Sequence, residues 1–149
     1  MTTQPDLSSR PFSLSVEKKL GTPIEVLYRA WTEKFDDWFA APGTLLMKAE
    51  IDSPFFFETR FEGQRHPHYG RFLRLVPNEL VEMTWLTGDP GTRGAETVVT
   101  VEFSPAEDGT VVRITHAGHV DEDARDGHED AWPLVLDHLE KTMAELAAK

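Results

Sequence analysis

Cysteine is absent from the 149 residues, which removes thiolate nucleophiles, thiolate metal sites and disulfide frameworks together. Long apolar runs are missing as well. None approaches the roughly 18 residues of a spanning helix, and the opening MTTQPDLSSRP lacks the apolar stretch of a secretion signal. Basic residues are the minority, 15 Lys and Arg against 26 Asp and Glu, for a formal charge of −11. That field repels phosphate backbones and anionic lipid surfaces, so nucleic acid and membrane insertion are excluded as partners and a cytoplasmic protein is expected. There is no G-x-S-x-G elbow, no glycine loop ending in Gly-Lys-Ser or Gly-Lys-Thr, and no H-E-x-x-H.

What is present is a chain that is 40% apolar and 10% aromatic, enough for one globular core without a metal or disulfide. Residues 1–11 are polar and read as a mobile terminus, leaving 12–149 as a single domain. Phe12, Leu14 and Val16, with Leu20 in the same phase, have the two-residue period of a half-buried strand. Thr22, Pro23 and Glu25 then mark a helix start. Ile24, Leu27, Tyr28 and Trp31 form its stripe, and Phe35, Trp38 and Phe39 repeat the spacing in a second short helix.

Six strand-like segments follow: Leu45 to Ile51, Phe55 to Phe61, Tyr69 to Val76, Leu80 to Leu86, Glu96 to Phe103 and Val111 to Ala117. Their short connections predict an antiparallel meander. In GRFLRLV the apolar residues occupy both phases, so a face can be chosen there only with a bulge. Trp132, Val135, Leu136, Leu139, Met143 and Leu146 then make the longest amphipathic stripe. With Pro133 confined to a first turn, the helix is expected from about Asp130 to Ala147, with an Asp137–Lys141 pair on its surface.

A sheet of about six strands is roughly 24 Å wide and one helix only 10 to 12 Å. The sheet must curl around the helix, and the remaining space is filled by large side chains or left as a pocket. The segments RAWTEKFDDWFAAPG, PHYGRFLRLVPNELVEMTWL, VRITHAGH and DAWPLVLDHLEKTM resemble the START-like superfamily called SRPBCC, in its branch of homologues of the activator of heat-shock protein 90 ATPase. The resemblance implies an α+β helix-grip fold, in which a curved antiparallel sheet wraps a long C-terminal helix, with two short helices after the first strand. It also implies binding of a small hydrophobic or amphipathic ligand between sheet and helix. Its alternatives are a co-chaperone-like protein-interaction domain and a cavity acid/base enzyme, a cyclase or hydrolase.

The residues placed to line such a cavity are Phe57, Phe61, Tyr69, Met83, Trp85, Val101, Phe103, Ile114, His116, Trp132, Leu136 and Leu139. His116 ends its strand in phase with Val112 and Ile114, so it faces the terminal helix and can exchange a proton or hydrogen-bond a ligand. No carboxylate partner can be assigned to it, and no catalytic residue is named. His66 and His68 share a strand phase but flank Pro67, which reads as a loop, and with no third ligand they make no metal site. Asp121 to Asp130 lacks the spacing of a calcium loop and suits the positive end of a helix. TGDPGTRG, between two strands, reads as a long hairpin loop able to act as a lid. No metal or cofactor is assigned.

Overall fold

The computed structural model describes residues 4–88 and 91–148, apart from the side chain of Phe61. Six strands form one antiparallel sheet: β1 (Phe12–Leu20), β2 (Pro54–Phe61), β3 (Gln64–Val76), β4 (Leu80–Thr87), β5 (Thr97–Ala106) and β6 (Gly109–His119), in the order β1-β6-β5-β4-β3-β2. Between β1 and β2 lie helix α1 (Ile24–Ala30) and a single 3₁₀ turn at Phe35–Asp37. Helix α2 (Glu122–Ala147) follows β6 and lies chiefly across β1 and β6. This is the helix-grip arrangement expected from the sequence.

Several local expectations are corrected. Leu45 to Ile51 makes only isolated bridges, Leu46 to Phe56 and Ile51 to Phe72. Leu45 and Met47 pack partly buried against the core, but Leu46 is 69% exposed, Ile51 45%, and residues 48–50 are exposed, so burial covers too few residues to fix a ladder. β3 starts at Gln64, not Tyr69, because Glu62 and Gly63 both take positive φ (53° and 77°), the geometry of a tight hairpin turn. Pro67 therefore lies within a strand, opposite Glu58.

α2 begins at Glu122, two turns before the expected start, since the Asp121 carboxylate accepts the Ala124 amide at 2.9 Å as N-cap. Pro133 sits inside the helix on an exposed face, where water can serve the Glu129 carbonyl that loses its amide partner. Asp137 pairs with Lys18 of β1 in place of Lys141.

The ambiguous segment GRFLRLV resolves through a bulge. Phe72 pairs with Met83 and Arg74 with Glu82, so Leu73 is the extra residue, and Phe72 and Leu73 are both buried. β4 is buried on both faces: Val81, Met83 and Trp85 point to the core, while Glu82 is held by Arg74 at 3.0 and 3.1 Å and by Thr100 at 2.8 Å. Residues expected to form a mobile terminus run against the sheet from Gln4 onward, and residues 1–3 lie outside the described set. Arg10 donates to the carbonyls of Gly118 (2.7 Å) and Glu96 (2.8 Å).

The space between sheet and helix is occupied by rings. Trp31 meets Trp38 at 5.1 Å and Trp132 at 6.1 Å, Phe35 stacks on Phe57 at 5.2 Å, and Trp85 meets Trp132 at 5.6 Å. Trp38 donates its indole N–H to the Ala30 carbonyl at 2.8 Å, fixing the turn that carries these rings.

Gly70 tests this packing, because a β-carbon there would lie 2.2 Å from the Thr84 carbonyl and 2.4 Å from the Phe55 ring. Gly70→Ala should lower the free energy of urea unfolding by about 2 kcal/mol, the usual scale of overpacking. An unchanged midpoint would show that β2 and β3 yield freely here.

Candidate functional site

Where β6 ends and α2 begins, three imidazoles converge. His116 and His119 are three apart, and on a regular strand they would face opposite sides. The ladder to β1 shifts register here: Phe12 pairs with His119 and Ser13 with Ala117, leaving Gly118 as the extra residue. The bulge brings both rings to one side. Gly118 has φ 92°, and a β-carbon on it would lie 2.7 Å from Leu7, so glycine is required. Arg10 binds the Gly118 carbonyl, so the segment before β1 holds the bulge in place.

His128 comes from the second turn of α2, and its Nδ1–H donates to the Ala124 carbonyl at 2.8 Å, which leaves Nε2 with a free lone pair. Ring centroids are 4.2 Å apart for His116–His119, 4.7 Å for His116–His128 and 4.8 Å for His119–His128. One nitrogen from each residue lies within 4.8 Å of the others.

Hydrogen bonds fix the protons on His116. Its Nδ1 accepts the Trp132 indole N–H at 3.1 Å, so the ring proton is on Nε2 and is donated to Thr97 Oγ1 at 2.7 Å. Thr97 in turn donates to the Trp85 carbonyl at 2.5 Å. Neither partner of His116 is a carboxylate. His119 is fully buried, and neither of its ring nitrogens makes a well-formed hydrogen bond among the described residues, although the His116 backbone carbonyl lies close enough to favour its charged form.

Burial, reinforced by the neighbouring imidazoles, holds His116 well below the ordinary histidine value and His119 down to about 4. Burial also lowers His128, against the opposing bond to Ala124. All three shifts disfavour the charged imidazolium.

A recess of about 410 Å³ opens beside His128, lined by Gly91 and Arg93 from the β4–β5 connection and by Asp123, Ala124, Gly127, His128 and Ala131 of α2. Its lining is mostly apolar carbon, with Arg93 paired to the Asp121 carboxylate at 2.5 Å on its rim. The connection expected as a lid lies partly outside the described residues, at Asp89 and Pro90. A second hollow of about 280 Å³ separates α1 from the end of α2.

Of the twelve residues chosen from sequence, none of the eleven whose side chains are described lines either hollow. Phe57, Met83, Trp85, Val101 and Phe103 of the sheet, with Ile114, Leu136 and Leu139, are buried in the common core. His116 and Trp132 are buried beside the histidine cluster. Tyr69 is 47% exposed, its ring 5.3 Å from Phe56, and the Phe61 side chain is outside the described set. His68 is buried and stacked on Phe57 at 4.7 Å, while His66 is half-buried, so the two do not share an environment.

Sequence reasoning passed over His119 and His128. His119 lay beyond the expected strand end and in the wrong phase, and His128 lay in a segment read as preceding the helix. The available signal was H-A-G-H, a glycine able to bulge between two histidines at a strand end.

The profile of the family described as Activator of Hsp90 ATPase homolog 1-like protein matches residues 21–144. No curated protein matches the sequence. Among solved structures, a Mesorhizobium loti protein superposes with a TM-score of 0.75 at 24% identity, over 90% of this chain and 98% of its own. A Chromobacterium violaceum protein does so with a TM-score of 0.74 at 24% identity, covering 88% and 96%. The Aha1 dimer from Colwellia psychrerythraea gives 0.64 at 19% identity, covering 89% and 96%. At these identities the likeness shows the fold.

Burial against Phe57 lowers His68 to about 4 from 6.5. The depressed value means that the unfolded chain binds the proton first, so stability present above pH 6.5 is lost as pH falls from 6.5 towards 4. His68→Phe, which fills the site and cannot charge, should narrow the gap in unfolding free energy between pH 7 and pH 4.5 by about 2 kcal/mol. An equal gap in both proteins would assign acid sensitivity elsewhere.

Proposed function

This chain belongs to the family of Activator of Hsp90 ATPase homolog 1-like proteins, and from that premise we propose that it binds a small, mostly apolar molecule in the recess over α2. The observation that carries this reading is Gly127. A glycine in a helix interior costs about 1 kcal/mol relative to alanine. Its φ is not positive and nothing lies within 4 Å of where its β-carbon would be, so neither strain nor crowding explains it. What the missing side chain leaves is room in the recess, whose 410 Å³ falls in the range of small-molecule sites.

The ligand class follows from the lining. Ala124, Gly127 and Ala131 offer carbon, so affinity comes mainly from apolar burial at about 25 cal/mol per Å². The free Nε2 of His128 is an acceptor, so it suits a hydroxyl or other donor at the polar end of the molecule. This reading moves the binding site from the ring-filled interior, where ten of the twelve sequence-chosen residues are buried, to the outer end of the same helix.

A second reading, docking to a chaperone ATPase, is supported by the family description and by an apolar strip in which Leu46 (69% exposed) bridges to Phe56 and Phe56 meets Tyr69. Leu46→Ser combined with Tyr69→Ser should then reduce any ATPase stimulation by this chain.

Gly127→Leu separates the readings. It should raise thermal stability, because leucine is the better helix former by about 0.5 to 1 kcal/mol. It should also abolish displacement of Nile red from the protein by medium-chain primary alcohols. Displacement curves identical to those of the unaltered protein would remove the recess as the binding site.

A further inference from the structure

We propose that His116, His119 and His128 bind a divalent late transition-metal ion, with zinc as the reference case, on the side of the cluster that the recess reaches. This inference stands on the histidine geometry and does not depend on the ligand reading. His119 is the first observation: the imidazole is fully buried and neither nitrogen makes a well-formed hydrogen bond, the His116 backbone carbonyl giving only weak support, which is an expensive arrangement unless some group occupies the space in front of it. The second is the way its neighbours are held. His128 commits Nδ1–H to the Ala124 carbonyl, and His116 commits Nε2–H to Thr97, which is itself bonded to the Trp85 carbonyl. Outer hydrogen bonds of this kind fix the tautomer of metal-ligating histidines; they leave Nε2 of His128 for the ion, whereas Nδ1 of His116 is held by the Trp132 indole N–H.

The distances are compatible. A tetrahedral ion with metal–nitrogen bonds of about 2.1 Å places its ligand nitrogens about 3.4 Å apart. The three nitrogens here lie within 4.8 Å of one another, so each would close in by roughly 1 Å or less. His116 would turn its Nδ1 lone pair from the Trp132 indole N–H to the ion.

An all-imidazole set with no thiolate suits zinc, nickel or copper(II) over the hard cations calcium and magnesium. Three protein ligands leave a coordination position open. His128 lines the recess, which gives the ion a route in, and Asp123 in the same lining contributes negative charge near the site.

The test uses the full chain prepared without a polyhistidine tag and stripped with a chelator. Titration with zinc by calorimetry should show one equivalent bound, and cobalt(II) should give the visible absorption of a four- or five-coordinate nitrogen site. Zinc should also raise the melting temperature, since the ion binds the folded form. His119→Gln and His128→Gln should each weaken zinc binding by about 100-fold, while His66→Gln leaves it unchanged. His128 is partly exposed, so its variant serves even if His119→Gln folds poorly. Folded protein that takes up no stoichiometric zinc would mean that water alone fills the space before His119 and would overturn the proposal. So would binding that survives both His119→Gln and His128→Gln.

Discussion

A sheet six strands wide spans roughly 24 Å, and a single helix laid across it covers less than half of that. Nearly everything distinctive in this domain answers that mismatch. Other chains could leave the surplus volume open, but here indole and phenyl rings fill it in a continuous path from Trp31 and Phe35 through Phe57 and Trp85 to Trp132. Rings suit the task because each carries a large apolar area with few rotatable bonds and can meet its neighbours edge to face. The consequence for function is displacement: with the interior occupied, the accessible chemistry lies at the end of the helix.

That end is built by small backbone departures. Asp121 caps α2 two turns earlier than Pro133 alone would allow, and those two turns carry Ala124, Gly127 and His128. The bulge at Gly118 turns His119 to the side of His116, and Arg10, from a segment with little apolar content, holds the bulged carbonyl. Polar groups brought into so dry a place must be satisfied locally. The Trp132–His116–Thr97–Trp85 chain of hydrogen bonds does this for one ring and joins the helix to the middle of the sheet. His119, beside it, has no such relief among the described residues.

Much of the fold was legible because it is written in periodicity. Val81, Met83 and Trp85 alternate with Glu82 and Thr84, and in the sheet the first set faces the core. The stripe Trp132, Leu136, Leu139 and Met143 has helical spacing and is the buried face of α2. The conflict of phases in GRFLRLV marked the bulge that the β3–β4 register contains. Leu45 to Ile51 misled because its residue types suit a strand, whereas its burial stops at Leu45 and Met47 and the rest is too exposed to fix a ladder. Pro67 misled in the opposite sense: proline is tolerated in a strand that pairs where it does not need to donate.

The amino-acid sequence by itself determined the class of structure: one antiparallel sheet, one long helix, an aromatic interior and a formal charge of −11. Such properties follow from side-chain period and composition, which are local and additive. The tertiary structure decided where a small molecule or an ion could be received. Whether the sheet–helix interior is hollow depends on how the rings interlock, and whether His116, His119 and His128 meet depends on one bulged glycine and one early helix cap. Both are questions of three-dimensional packing among residues distant in the chain; the H-A-G-H pattern marks the bulge but not what the bulge brings together.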